Sequence, residues 1–200
     1  MVFGKGAPML RSFSDLVGPH RTWADANFPN NTYWQPLTGI TEEIGEFSEA
    51  TDANNTAAIR DAIGDIVIYA TDLCYRIGWH LEDARRVHAA EVVAEETTVN
   101  ELARLVHKRA AIPSQLTDYV CRRLQIHNGR LAHAVLKTDQ KIRGTAAQHA
   151  ENGQRALACI ISVLAAFCAS REWNIYEIVE ETAMAVYRRD WITDSVTGGV

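Results

Sequence analysis

Residues 37–78 read LTGITEEIGEFSEATDANNTAAIRDAIGDIVIYATDLCYRIG, and this stretch decides the fold. It divides into two helical segments joined by the short polar turn Asp52-Ala53-Asn54-Asn55, with Asn55 placed to cap the second helix. In the first, Glu42, Glu46 and Glu49 follow one another at i, i+4 and i+7, with Glu43 three residues before Glu46. On a helix these form one acidic stripe beside the apolar stripe of Ile40, Ile44 and Phe47. The second helix repeats the device. Asp61, Asp65 and Asp72 lie at i, i+4 and i+11, within about 40° of one another at about 100° per residue.

A solvated face is the ordinary reading of an acidic helix. Two features argue against it here. The Asp61 helix is apolar on its remaining sides (Ile63, Ile66, Val67, Ile68, Leu73), and both helices carry a mid-helix glycine, Gly45 and Gly64. Each glycine costs about 1 kcal/mol relative to alanine, and together they would let two backbones approach. Antiparallel packing of the pair would then bring both stripes onto one ion-sized space. With no histidine or cysteine spaced to join them, the ligands are all oxygen, which points to Mg²⁺ or Mn²⁺.

Outside this stretch the chain is ordinary in composition. Its 200 residues, 47% hydrophobic, suffice for a real core in one or two domains. A net charge of −5 disfavours a nucleic-acid partner, which would want a basic face. No signal peptide is recognisable, and the longest apolar run, Ala156 to Ala169, falls short of the ~20 residues that span a bilayer. Membrane contact is therefore not expected. Cys74, Cys121, Cys159 and Cys168 form no CxxC pair and sit in apolar helical context, as reduced core residues of a cytoplasmic protein do.

The first seven residues read as frayed, followed by a short helix over Pro8 to Val17 and a second over His20 to Phe28. A loop from Asn27 to Pro36, rich in aromatic residues, precedes the first acidic helix, which starts at Pro36. Trp23, Phe28, Tyr33 and Trp34 could form a lid over the bundle or a wall on which a base stacks, with Asn27 reading a base edge. Gly78 stops the second acidic helix. Helices over Leu81 to Glu96 and Glu101 to Ala111 come next, and Pro113 opens a long one towards Lys137. No segment alternates with period two, so the chain reads as all-α.

The second half reads as a worn copy of the first. Ile66-Val67, Cys74 and Gly78-Trp79 are matched by Ile160-Ile161, Cys168 and Glu172-Trp173 at a constant offset of 94. Residues 45–50 are matched by residues 129–134 at an offset of 84, the ten extra residues lying in the second loop. The carboxylates are lost: Glu43 becomes His127, Glu46 becomes Arg130, Asp61 becomes Arg155 and Asp65 becomes Cys159. Two helix pairs would thus close one bundle within a single chain. The second unit would have exchanged metal binding for cations facing a substrate: Lys137, Lys141 and Arg143 around the longer loop, and Arg188 and Arg189 at the end of the last helix.

Glu42-Glu43-Ile44-Gly45-Glu46 matches the EExxE half of the signature of the MazG-like all-α nucleoside triphosphate pyrophosphohydrolases, relatives of the dimeric dUTPases, and the chain resembles that family. The ExxD half departs from it: Ala62 stands where its glutamate belongs, so Asp65 carries over and Asp61 must substitute from one residue earlier. His133 to Gly144 (HAVLKTDQKIRG) and the closing Arg188-Arg189-Asp190-Trp191 are similar to segments of phage members. The resemblance implies a single MazG-like domain over residues 1–200, with a four-helix-bundle-like core made of a metal-binding unit (19–96) and a degenerate second unit (113–191). It implies metal-dependent hydrolysis of a (deoxy)nucleoside triphosphate to monophosphate and pyrophosphate. The substrate would be a purine deoxynucleotide such as dGTP, as in the dGTP and dATP pyrophosphohydrolases of phages that replace adenine with 2-aminoadenine. Glu43, Glu46, Asp61 and Asp65 would hold Mg²⁺ or Mn²⁺, and Glu42 or Glu46 would take the proton of the attacking water. Trp23, Asn27, Lys137, Lys141, Arg143 and Arg189 would bind the substrate. A dUTPase-like or dCTPase-like enzyme and a non-catalytic helical regulator are the alternatives. Apolar stripes left after the bundle closes imply a homodimer or a dimer of dimers.

Overall fold

The computed structural model describes Leu10, residues 12–80 and residues 113–199. The expected frayed start and the helices over 81–96 and 101–111 lie outside the described residues. A single 3₁₀ turn, Phe13–Leu16, leads into α1 (Val17–Asn27). It is followed by α2 (Trp34–Asp52), α3 (Thr56–Ile77), α4 (Pro113–Gln140), α5 (Ala146–Ser170) and α6 (Ile175–Val186). The described residues are all-helical and include no strand, as the absence of period-two patterning requires.

Several helix ends carry the chemistry that their sequence announces. The side chain of Asn55 accepts the Ala58 N–H to start α3, and Gly78, at φ 76°, ends it in the left-handed conformation. Thr145 and Gln148 form a reciprocal capping box at the start of α5. α2 begins two residues before Pro36, because the Thr32 N–H and hydroxyl both donate to Gln35 Oε1 (2.8 and 2.9 Å) and set its first turn. Of the short helix expected over 8–17, residues 8, 9 and 11 lie outside the described residues, and the described part holds the single 3₁₀ turn running straight into α1.

Two hairpins dominate the packing, α2 with α3 and α4 with α5, and they meet through α2 against α4. α6 closes over α3, and α1 lies on α3 as well. The core runs through both hairpins. Phe47 of α2 and Phe167 of α5, both fully buried, meet edge to face at 5.1 Å between ring centroids, a contact worth about 1 kcal/mol beyond its buried area. α5 is long and apolar enough to cross a membrane by length and composition, but 67% of its most apolar window is buried in this core. All four cysteines are free thiols, and burial pushes the Cys74 thiol up to about 12.

The two hairpins end alike, at positions that the expected repeat pairs. Trp79 N–H donates to the Cys74 carbonyl and Trp173 N–H to the Cys168 carbonyl, each at 2.9 Å. The residue before each tryptophan has positive φ, Gly78 in one case and Glu172 (58°) in the other. The glycines behave differently from expectation. Gly45 has nothing within 4 Å of where a Cβ would stand, and Gly64 faces Thr182 of α6, not α2. The close approach of α2 to α3 is at Gly39, where a Cβ would sit 2.6 Å from the Tyr69 ring.

Candidate functional site

Because α2 and α3 are antiparallel, Glu43 stands by Asp65 and Gly39 by Tyr69, which leaves Trp34 and Gln35 toward Asp72 and Arg76. Along this seam lies a cavity of about 590 Å³, within the range of small-molecule sites. Asp65, Ile68, Tyr69 and Asp72 line it from α3, and Gln35, Thr38, Gly39, Glu42 and Glu43 from α2. Asp65 and Asp72 are seven residues apart, about 10 Å along the helix axis, so the cavity has an acidic end and a distinct far end.

Burial and charge set the character of the acidic end. Glu43 is only 9% exposed and, among the described residues, makes no hydrogen bond or ion pair. Burial, then the charges of Asp65, Glu46, Glu42 and Asp61, push its carboxyl up to about 8. Asp65 rises to about 6, through burial and then Asp61, against the opposing charge of Arg189. Tyr69 rises to about 12, chiefly through burial and then Glu43. Glu42, Glu46 and Asp61 are exposed. Five carboxylates from two helices thus act on one another, as the two stripes predict. No three Asp, Glu, His or Cys side chains among the described residues stand in ion-holding geometry. Bringing them onto one ion would take rotamer changes in the exposed members, which surface side chains make readily. An all-oxygen donor set around a buried carboxylate that has no cationic partner among the described residues fits a hard divalent ion.

Asp72 leaves the acidic stripe altogether. Arg76 Nε donates to both its oxygens (2.9 and 3.0 Å), and His20 Nε2 lies 3.4 Å from Oδ1. Arg76 also donates to the carbonyls of Asn31 (2.6 Å) and Phe28 (3.4 Å), which pins the loop before α2 to the end of α3. Asn27 does not point a spare amide at a ligand. Its Nδ2 donates to the Trp23 carbonyl (3.0 Å) and its Oδ1 accepts the Trp191 N–H (2.7 Å). Trp23 does line the cavity, while its indole N–H donates to the Arg189 carbonyl (2.9 Å). Residues 189–191 are thereby held against α1, and Arg189 and Trp191 form part of the cavity wall.

Of the remaining expected substrate cations, none lines this cavity. Lys137 is buried and donates to Gln140 Oε1 at 2.8 Å. Lys141 and Arg143 are exposed in the turn after α4, both at positive φ. Tyr33 turns away from the cavity to donate its hydroxyl to Asp139 (2.5 Å). Trp34 and Phe28 of the expected aromatic wall line the cavity, and so do His20, Tyr69 and Trp191, which were not singled out as site residues. Only Tyr69 left a local sign, lying one turn after Asp65 on the same face.

The raised Glu43 carboxyl has a consequence for stability. Between about pH 4.5 and 8 the native chain holds a proton that the unfolded chain has released, so stability falls as pH rises through that window and levels off above it. Glu43→Gln should flatten this dependence and raise metal-free stability above pH 8 by about 1–2 kcal/mol, after allowance for solvent screening. Urea unfolding in EDTA at pH 5 and pH 8.5 measures it; equal stabilities of parent and variant at the higher pH would contradict it. No known protein family, curated protein or solved structure matches the chain.

Proposed function

We propose that the chain hydrolyses a (deoxy)nucleoside triphosphate, a purine deoxynucleotide such as dGTP, to the monophosphate and pyrophosphate, and that its two hairpins form a MazG-like bundle. The observation that supports this most is Glu43: a buried carboxylate with no cationic partner among the described residues, pushed up to about 8 and facing a cavity of ligand size. Strongly perturbed groups in clefts are the usual mark of a functional site. Glu43, Glu46, Asp65 and the exposed Asp61 would hold Mg²⁺ or Mn²⁺, which when bound would polarise the phosphate oxygens and offset the charge of the departing pyrophosphate.

The chain's own residues would do the rest. Glu42, exposed at the cavity edge, or Glu46 would accept the proton of a water whose oxygen attacks the α-phosphorus. The bond from that phosphorus to the bridging oxygen breaks, and pyrophosphate carries the electron pair away. Arg189, already close enough to lower Asp65, would draw the triphosphate to the same end. The cavity's rings would receive the base. The exposed apolar side chains Ile126 and Leu136 of α4 suit burial in a homodimer.

Incubation with each dNTP and Mg²⁺ or Mn²⁺, with monophosphate resolved from diphosphate, should give monophosphate and pyrophosphate in a metal-dependent reaction. Turnover confined to dUTP or dCTP would replace the purine reading with its pyrimidine counterpart. No turnover of any nucleotide would leave a non-catalytic helical regulator.

A further inference from the structure

Arg189 is the only lysine or arginine among the described residues that line the cavity, and it shares that lining with Glu42, Glu43 and Asp65. Its guanidinium makes no hydrogen bond or ion pair among the described residues and lies over the Trp191 ring, 5.9 Å from the centroid. The donors of a half-buried arginine are thus left for something that enters the cavity. A long side chain in that state samples many rotamers, and fixing one of them on binding costs affinity. The chain around Arg189 removes much of that freedom. Its N–H donates to the Val186 carbonyl (3.0 Å), its carbonyl accepts the Trp23 indole N–H (2.9 Å), and the Trp191 N–H donates to Asn27 Oδ1 (2.7 Å).

Residues 190–199 supply the remaining support. They contain one turn twice, Asp190-Trp191-Ile192-Thr193 and Asp194-Ser195-Val196-Thr197. Asp190 Oδ1 accepts the N–H groups of Ile192 and Thr193 (both 3.1 Å), and Asp194 Oδ1 those of Val196 (2.9 Å) and Thr197 (3.0 Å). Three backbone bonds close the segment: Asp194 N–H to the Asp190 carbonyl (3.1 Å), Gly198 N–H to the Asp194 carbonyl (2.9 Å) and Asp190 N–H to the Gly198 carbonyl (2.7 Å). The last of these returns the chain to the residue beside Arg189. Gly198 is buried at φ 73°, and a Cβ there would stand 2.9 Å from Cβ and 3.1 Å from Cγ of Arg189. The arginine stem therefore rests on bare backbone, at a position that only glycine fills without strain. Ile192 and Val196 are 66% and 85% exposed, so burial of those side chains does not account for the closed form.

We infer that residues 190–199, locked at Gly198, are a positioning element that sets Arg189 in advance for the phosphate chain of a ligand in the cavity. The inference rests on the nucleotide reading above and adds to it residues that touch no substrate. An arginine already fixed at its backbone and along its stem spends less of its binding energy on ordering itself, so the benefit falls on affinity. The two aspartates act only through the shape of the segment, and Gly198 only through the room it leaves.

The test is calorimetric binding of inorganic tripolyphosphate to the full chain with Mg²⁺, beside steady-state kinetics with dGTP. Arg189→Ala should weaken tripolyphosphate binding about tenfold, as loss of a charge-assisted contact does. Gly198→Ala leaves every charge in place and displaces only the stem; it should weaken binding about fivefold and raise KM by the same factor with kcat about unchanged. Made in an Arg189→Ala chain, Gly198→Ala should have no further effect, whereas a merely structural role would add its loss in full. Asp194→Ala should weaken binding about threefold, and Asp194→Asn, which keeps the acceptor oxygen, should restore it. That pair carries the test if Gly198→Ala does not fold. Parent-like affinity in folded Gly198→Ala or in Asp194→Ala would overturn the inference, as would equal losses from Gly198→Ala with and without Arg189, or a parent chain that does not bind tripolyphosphate. Binding that depends on Arg189 and Gly198 without hydrolysis of any dNTP would sink the reaction and keep the positioning element; dGTP hydrolysis with the parent's KM in Gly198→Ala would do the reverse.

Discussion

Asp65→Ala is expected to lower kcat for triphosphate hydrolysis by about a thousandfold, about 4 kcal/mol of transition-state stabilisation, while leaving the helical fold intact. Asp65 is half-buried at the cavity's acidic end, and burial and Asp61 push its carboxyl to about 6. Removing it relieves a repulsive cluster, so thermal stability should hold or rise while activity collapses. Glu43→Ala should behave the same way. Asp61, exposed at the turn before Asp65, tests the fourth ligand. A loss close to that of Asp65→Ala would place it among the ligands; little effect would leave it as a charge that only tunes Asp65. Turnover retained by both Asp65→Ala and Glu43→Ala with metal present would remove the site.

Gly64→Ala should destabilise the fold by about 2–3 kcal/mol. A Cβ there would meet Thr182 Oγ1 at 1.9 Å and its Cβ at 2.6 Å. Thr182 is buried, its hydroxyl donates to the Ile178 carbonyl (3.1 Å), and a β-branched side chain has few rotamers to retreat into. α6 must therefore move off α3. The helix propensity gained by replacing glycine, about 1 kcal/mol, does not offset that displacement. Thr182→Ala in the same chain should restore most of the loss, and a double-mutant cycle read from urea midpoints isolates the clash. A Gly64→Ala variant as stable as its parent would show that α3 and α6 are not packed as described.

Asn55 as cap and Gly78 as stop were legible in the sequence because each is written within a few residues, and the convergence of Glu43 with Asp65 followed from pairing the two acidic stripes antiparallel. The expected repeat has one structural parallel, the matching helix ends at Trp79 and Trp173. Asp72 shows how periodicity misleads. It shares a helical face with Asp61 and Asp65, but Arg76 follows it at i+4 and takes its charge, a pairing that the sequence displays and that the stripe argument passed over. Gly45 and Gly64 were assigned one role from one residue type, whereas what faces each depends on which helix arrives there. His20 against Asp72, and Asn27 against Trp191, had no local signature: those partners are brought together only by the fold.

The clasp of α1 by residues 189–191 also fixes the order in which the protein can become competent during synthesis. Trp23 waits 166 residues for Arg189, and Asn27 waits 164 for Trp191. At 5–20 residues per second a ribosome takes about 8–30 s to cover that separation. Once α3 has been made, for the rest of that interval, the α2–α3 hairpin can already pair and carry its carboxylates, with one wall of the cavity still unmade. A nascent chain would therefore own the acidic cluster well before it could enclose a ligand, and competence would arrive in a single late step as the wall is laid against α1.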